Sequence, residues 1–391
     1  MSQDKIPYGR QDVNAADIEA VVQVLRSSFL TQGDIVPKFE NEVATICNAK
    51  FAVAVNSATS ALHIACLALG VGVGDIVWTS AITFVASSNC ALYCGASVDF
   101  VDIDSQTNNL SVDLLAEKLS IAKKENRLPK VIIVVHLCGQ PCDLVSIRAL
   151  SYEYGFRIIE DASHAVGALY MGEPIGSGLY SDITVFSFHP VKIITTGEGG
   201  MALTNDLRLA NHMRQLRSHG ITRNESEMMQ PPDGPWYYEQ VTLGYNYRMT
   251  EIQAALGLSQ LTRLSEFLHA RHLIAKRYDQ LLSNLPIKTP WQSPDGYSAY
   301  HLYVIRLNRA ESPKTQHRRV FESLHAAGVM VNLHYIPVYL HPYYQRLGFT
   351  RGYCPEAERY YSDAMSIPIY PTLKPDQQLR VVDALKIALA K

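Results

Sequence analysis

Along the first half of the chain, short runs of β-branched and aromatic residues alternate with stretches whose apolar residues recur every three to four positions. The apolar runs Phe51–Val55, Ile76–Trp78, Val98–Val101, Val131–Val135, Arg157–Ile159, Ile183–Phe188 and Met201–Leu203 predict strands. Between them, Ser60–Leu69, Val85–Leu92, Leu110–Lys123 and Ser146–Tyr154 predict helices, with Gly70 where a C-terminal glycine stop falls. Upstream, Asn14–Ser27 carries Ile18, Val21, Val22 and Leu25 on one helical face. Such alternation implies a mostly parallel sheet covered by helices on both faces. In that architecture ligands bind beyond the carboxyl ends of the strands, so the segments just after each strand are where chemistry is to be sought.

The texture changes near Met249. TEIQAALGLSQLTRLSEFLHARHLIAKRYDQLLSNL reads as one helical stretch of roughly thirty residues that connects two domains. After Pro290, short strands (HLYVIRL) mix with helices (HRRVFESLHAAG) in an α+β tail. The expected division is a large α/β domain over residues 1–250 and, over 251–391, the long helix with a smaller α+β domain. Pro231–Pro235 (PPDGP) reads as a loop inside the first.

Composition narrows the partners. The 35 basic and 37 acidic residues give a net charge of −2, leaving no basic excess for a run of phosphates and arguing against nucleic acid. The seven cysteines are scattered, mostly in apolar surroundings, which suits reduced thiols in the cytoplasm. The N-terminal MSQDKIPYGRQD has no apolar signal core, and no uncharged apolar stretch reaches membrane-spanning length.

Four strand-end segments carry candidate chemistry. In FSFHPVKIITTGEGG, Lys192 follows the strand ITVFSF and precedes a glycine-rich run. Burial lowers a lysine's pKa and makes it a nucleophile for a carbonyl cofactor, although a lone loop lysine is ordinarily a surface residue. In IIEDASHA, Asp161 ends a buried strand, where it can keep a pyridine nitrogen protonated or merely cap a helix. In VNSATSALHI, the polar turn Asn56–Thr59 before a helix suits one phosphate and lacks the spacing of a nucleoside-triphosphate loop. Phe84, in WTSAITFVASSN, is able to stack on a flat ring or simply fill a core. His136, Cys138 and Cys142 lack a fourth nearby ligand for zinc, so no metal is expected. GVGVG at Gly70–Gly74 follows a helix, the wrong context for a nicotinamide site. His189 reads equally as a strand-end polar residue or as support for the Lys192 loop, and Tyr335, Tyr339 and His341 as pocket lining or as packing.

The order of phosphate turn, aromatic, strand-end Asp and strand-end Lys resembles the DegT-type sugar aminotransferases, which are fold-type I (aspartate aminotransferase-like) pyridoxal 5'-phosphate enzymes. The motifs IPYGRQ, FLTQG, NSATSALH, FVDID, HLCGQPCD, EDASHA, SFHPVK, TTGEGG, LGYNYRMTEIQAALGLSQL and HPYYQ carry the resemblance over nearly the whole chain. SFLTQG, WYYEQVTLGYNYRMTE and YIPVYLHPYYQ look most like the subgroup that makes the 4-amino sugar precursor of pseudaminic acid. The resemblance implies transfer of the amino group of L-glutamate to C4 of a UDP-linked 2-acetamido-2,6-dideoxy-4-keto sugar of L-arabino configuration. Other keto nucleotide sugars (D-configured 4-keto or 3-keto) stay open, and more distantly so do a sugar dehydratase or a non-catalytic sensor of the same fold. It further implies Lys192 as the Schiff-base lysine, Asp161 on the pyridine nitrogen, Phe84 on the ring and His164 near the ring hydroxyl. Ala58, Thr59 and Ser187 then hold the phosphate, with Asn246 reaching it from the other subunit of a homodimer. Tyr8, Thr31, Gly33, His189, Arg248, Tyr335 and His341 are the implied substrate contacts. Family members often have glycine at Ala58, which still leaves a backbone N–H, and proline near Ser80, so the loop before Phe84 differs in shape.

Overall fold

The computed structural model of the protein describes residues 5–308 and 313–390. The first four residues of the polar N-terminal run lie outside the described residues. Seven strands form the central sheet: β1 (Phe51–Val55), β2 (Ile76–Ser80), β3 (Ser97–Val101), β4 (Val131–Val135), β5 (Arg157–Asp161), β6 (Ile183–Ser187) and β7 (Gly200–Thr204). Their order across the sheet is β1-β7-β6-β5-β4-β2-β3, and β7 alone runs antiparallel to its neighbours. The architecture is the mostly parallel, helix-covered sheet expected from the alternating pattern, and it fits the fold-type I class that the resemblance implies.

Both faces of the sheet are dry, which is why the strands read as continuous apolar runs. In β1, Ala52 and Ala54 join one apolar cluster while Val53 and Val55 join the other. The helices that cover the faces include α1 (Ala15–Leu25), α2 (Ile35–Ile46), α3 (Ala58–Ala68), α4 (Ala86–Tyr93), α5 (Val112–Lys124), α6 (Leu144–Tyr154) and α7 (Leu207–Arg217). A third cluster, around Tyr278, Tyr303 and Met365, fills the C-terminal part, where Ile287–Lys288, Tyr303–Leu307 and Ala364–Ile367 form a small antiparallel sheet. The chain's start belongs with that part: Ile6–Pro7 pairs parallel with Val329–Met330.

The long helical stretch is broken. It consists of α8 (Glu251–Leu261) and α9 (Leu264–Leu282), and Arg263 between them leaves helical dihedrals at φ −106°, ψ 10°. The guanidinium of Arg263 is drawn sideways to Asp12 (3.1 Å) and to the fully buried Asp17 (2.6 Å), a tertiary demand that overrides local helix propensity. Among the described residues no helix is long and apolar enough to cross a membrane.

Glu40, in α2, ties three elements together. Its Oε1 accepts from the Ala54 N–H of β1 (2.8 Å) and from Arg217 Nη1 of α7 (2.5 Å), and Arg217 also donates to the Ala54 carbonyl. Glu40→Ala would leave Arg217 enclosed without its counter-charge, so we expect about 3 kcal/mol of destabilisation, read as a lower urea midpoint with unchanged slope.

Candidate active site

The carboxyl ends of β1, β5 and β6 meet at one edge of the sheet, and the start of β7 is threaded between them: Gly200 is in register with Val55 on one side and Ser187 on the other. This edge walls a cavity of about 850 Å³. A Cβ on Gly200 would stand 2.6 Å from the Ala58 nitrogen, so only glycine lets β7 approach the start of α3 this closely. Ser57 caps that helix by accepting from the Ser60 N–H (3.1 Å). The N–H groups of Ala58 and Thr59, in its first turn, have no intrahelical acceptor and face an anion's position. Ser187 lines the same cavity, completing a phosphate-sized cradle.

Asp161 is the last residue of β5 and lines the cavity, 5% exposed. Its carboxylate accepts from Ser87 Oγ (2.6 Å), Ser163 Oγ (2.6 Å) and the Ser163 N–H (3.1 Å), and Ser87 is itself held by Thr83 (2.7 Å). Three donors fix the carboxylate's position. Lys192 lies on the turn after β6, whose backbone closes through the Lys192 N–H to the His189 carbonyl (2.9 Å). Burial pushes the Lys192 ammonium down to about 8, against the pull of Asp161, which raises it. The following TTGEGG is small by necessity: a Cβ at Gly199 would stand 2.2 Å from Thr196 Oγ1, and the Phe188 N–H bonds the Gly199 carbonyl at 2.9 Å.

Tyr8 and Tyr335 reach the same cavity from remote parts of the chain, and His189 reaches it from the Lys192 turn. Phe84 is no core residue: its ring is 56% exposed beside the cavity, 6.0 Å from the Tyr335 ring centroid. His164 lines the cavity too, but both its ring nitrogens are engaged within the chain. Nδ1 accepts from the Cys138 N–H (3.2 Å), so Nε2 carries the proton and donates to Tyr335 Oη (3.1 Å). Burial, reinforced by the charge of Lys192, holds His164 well below the usual imidazole range. Burial likewise raises the Tyr335 phenol, with the charge of Asp161 adding to it, so this wall is made of neutral donors.

Thr31, Gly33, Asn246, Arg248 and His341 are not in the wall of this cavity within one chain. The loop with Thr31 and Gly33 is tied to α8 instead, because Glu251 accepts from the N–H groups of Gly33 (3.1 Å) and Ile35 (2.6 Å). Arg248 forms a bridge with Val55, Asn246 forms one with Ser218 and is exposed, and His341 precedes the helical turn Pro342–Gln345. Tyr339 is packing: it is fully buried and donates to Glu358 (2.8 Å). His136 is engaged at both nitrogens, by Glu160 (2.8 Å) and by the Cys142 N–H (3.0 Å), and among the described residues no His, Cys, Asp and Glu cluster suits a metal.

Several lining residues were not singled out from sequence, among them Ser163, Glu198, His301, Asn332 and His334. Ser163, two residues past Asp161 in EDASHA, carried a local signal as an aspartate-turn partner, and Glu198 lies in the glycine-rich run after Lys192. His301, Asn332 and His334 come from segments remote in sequence.

A family model for the DegT/DnrJ/EryC1/StrS aminotransferases matches residues 11–386. The chain is 37% identical to the spore coat polysaccharide biosynthesis protein SpsC of Bacillus subtilis, covering 97% of this chain and 96% of that protein. It is 36% identical to the UDP-4-amino-4,6-dideoxy-N-acetyl-beta-L-altrosamine transaminase of Campylobacter jejuni, covering 99% and 98%. Among solved structures it is similar to Helicobacter pylori PseC, an aminotransferase of pseudaminic acid biosynthesis (TM-score 0.90, 30% identity, 99% of this chain and 100% of that one). It is also similar to the PLP form of the sugar aminotransferase Spr1654 of Streptococcus pneumoniae (TM-score 0.87, 30% identity, 99% of each chain). The cradle at α3, the fixed carboxylate, the unpacked Phe84 ring and the desolvated amine fit pyridoxal phosphate. Gly200→Ala should cost about 1–3 kcal/mol through the clash at Ala58 and raise the Kd for pyridoxal phosphate in a fluorescence titration.

Proposed function

The chain belongs to the DegT/DnrJ/EryC1/StrS aminotransferase family and is a pyridoxal-phosphate-dependent sugar aminotransferase; from that premise we propose that Lys192 and Asp161 are its catalytic pair. We further propose that it moves the amino group of L-glutamate to C4 of UDP-2-acetamido-2,6-dideoxy-β-L-arabino-hexos-4-ulose. The product is then UDP-4-amino-4,6-dideoxy-N-acetyl-β-L-altrosamine, in the cytoplasm. The observation that carries the pair is the meeting of one desolvated lysine and one carboxylate, held by three donors, in a single cavity with an open helix start. Support for the sugar is full-length likeness to the Campylobacter jejuni transaminase. Equal likeness to SpsC keeps another keto nucleotide sugar as the second reading.

When bound, pyridoxal phosphate supplies an aldehyde and a protonated ring that takes up a carbanion's electrons. In this reading the Ala58 and Thr59 N–H groups and the Ser187 hydroxyl bind the phosphate. The Asp161 carboxylate holds a proton on the pyridine nitrogen, and Phe84 orients the ring from one face. Lys192 Nζ, uncharged over part of the neutral range, would hold the cofactor through its aldehyde. As a free amine it would serve as the base for the proton on the donor's α carbon. His164 acts here through Tyr335, which it holds at the cavity, while Tyr8 and His189 line the sugar's approach. Asn246 serves the partner's cavity in a homodimer, and Thr31, Gly33, Arg248 and His341 stay proposed substrate contacts that the single chain's cavity does not include.

Lys192→Ala should stay folded while losing the visible absorbance of covalently held cofactor and its turnover. Asp161→Asn should retain cofactor but lose about a hundredfold in kcat, measured in single turnover. Capture of the aldehyde needs the free amine, whose fraction falls as pH drops below about 8. The capture rate in stopped flow should therefore fall about tenfold per unit on the acid side and level off above that pKa. For the sugar, purified enzyme offered both C4-keto epimers should aminate the L-arabino compound; turnover of the D-configured epimer alone would overturn the assignment.

A further inference from the structure

The C-terminal part holds two buried polar side chains, one in the cavity wall and one behind it, that this chemistry leaves without a task. Arg271, in α9, is 1% exposed. It has no carboxylate partner among the described residues; its Nη1 donates instead to the carbonyls of Tyr300 (3.1 Å), His301 (3.2 Å) and Ile369 (3.2 Å). Burial pushes the guanidinium down to about 9, and its Nε has no partner at all. A cation buried without an anion is strongly unfavourable. Here it staples two backbone segments, 300–301 and 369, and the Ile369 N–H in turn donates to the Tyr8 carbonyl (3.0 Å). His301 and Tyr8 both line the cavity.

His301 is 4% exposed, and its ring lies 4.4 Å from that of His164. Burial, with the neighbouring His164, Lys192, Arg271 and His334, holds it well below the usual imidazole range, so it is neutral and has one N–H. Its Nδ1 is sealed from water and from every hydrogen-bond partner. Nδ1 is therefore unsatisfied whichever nitrogen carries the proton, as donor or as acceptor. With the proton on Nε2, the ring offers a donor to a ligand in the cavity that it lines.

We infer that His301 is a ligand-binding residue whose Nε2–H donates to a carboxylate oxygen of the amino-acid donor, and that Arg271 is the positioning residue that fixes it. The inference rests on the aminotransferase reading of the cavity. The α3 cradle takes a phosphate and Asp161 takes a ring N–H, so the wall of neutral donors is left for the remaining anion. The donor's α-carboxylate is one bond from the carbon whose proton Lys192 moves. Its receptor must therefore share the cavity with Lys192, as His301 does.

The test uses cofactor-loaded enzyme. The Kd for L-glutamate is read from the absorbance change of the half-reaction, and the KM for the nucleotide sugar is measured separately. His301→Phe should raise the glutamate Kd about tenfold to a hundredfold, the loss of one hydrogen bond to a charged group, and leave the sugar KM within about twofold. A glutamine amide nitrogen reaches about as far as Nε2, and an asparagine one about as far as Nδ1. His301→Gln should therefore recover most of the affinity and His301→Asn should not. Arg271→Met should follow His301→Phe while Arg271→Lys recovers part of the loss. Unchanged glutamate affinity in His301→Phe, equal weakening toward the sugar, or equal behaviour of the Gln and Asn variants would overturn the inference. Should His301→Phe fail to fold, the Gln and Asn pair decides alone. An active Lys192→Ala enzyme would instead sink the underlying reading, whatever His301 does.

Discussion

Holding one lysine amine out of water beside one fixed carboxylate is the constraint that shapes the sheet edge. Parallel pairing of β5 and β6 aligns Asp161 with Val185, so the turn after β6 must carry Lys192 back over the end of β5. The connection, residues 188–199, then has to deliver the chain into the antiparallel β7. Small residues at Gly199 and Gly200 are what make the path possible, because a side chain at either would collide with Thr196 or with the start of α3. The same squeeze places the first N–H groups of α3 beside Ser187. Amine, carboxylate and anion cradle are therefore consequences of one strand arrangement.

Charge is scarce in the cavity. Among its lining residues Lys192 is the only lysine or arginine, and Asp161 and Glu198 are the only carboxylates. The remaining polar groups are hydroxyls, amides, phenols and imidazoles held neutral by burial, as at His164, His301 and His334, the last pushed down to about 3. Neutral donors bind anions with a smaller desolvation cost than additional cations would carry, and they leave the lysine without competing positive charge nearby. Keeping such groups in place falls to buried anchors outside the cavity, of which Arg271 is the most costly.

The seven strands of the sheet were legible because both faces are buried, which turns each into an apolar run bounded by turn residues. The helices α2 and α7 were less so. Their buried positions, Phe39, Glu40 and Val43 in one and Ala210, Met213 and Leu216 in the other, include a charged residue and sit among many polar ones. The break at Arg263 was invisible, since nothing local disfavours a helix there; it arises from Asp12 and Asp17, more than two hundred residues away.

Sequence by itself determined the strand-end chemistry: Lys192, Asp161 and the Asn56–Thr59 turn each follow an apolar run, and a parallel sheet sends such ends to one edge. It also carried the family, through long motifs in a fixed order. Only the tertiary structure decided that Phe84 is unpacked, that His164 is spent on Tyr335, that Thr31, Gly33, Asn246, Arg248 and His341 lie outside the single chain's cavity, and that His301 belongs to its wall with Arg271 behind it. Those facts depend on which distant segments meet, and on how burial resets the protonation of groups whose local sequence is unremarkable. Periodicity reports which face of an element is dry; it carries no record of what that face is pressed against.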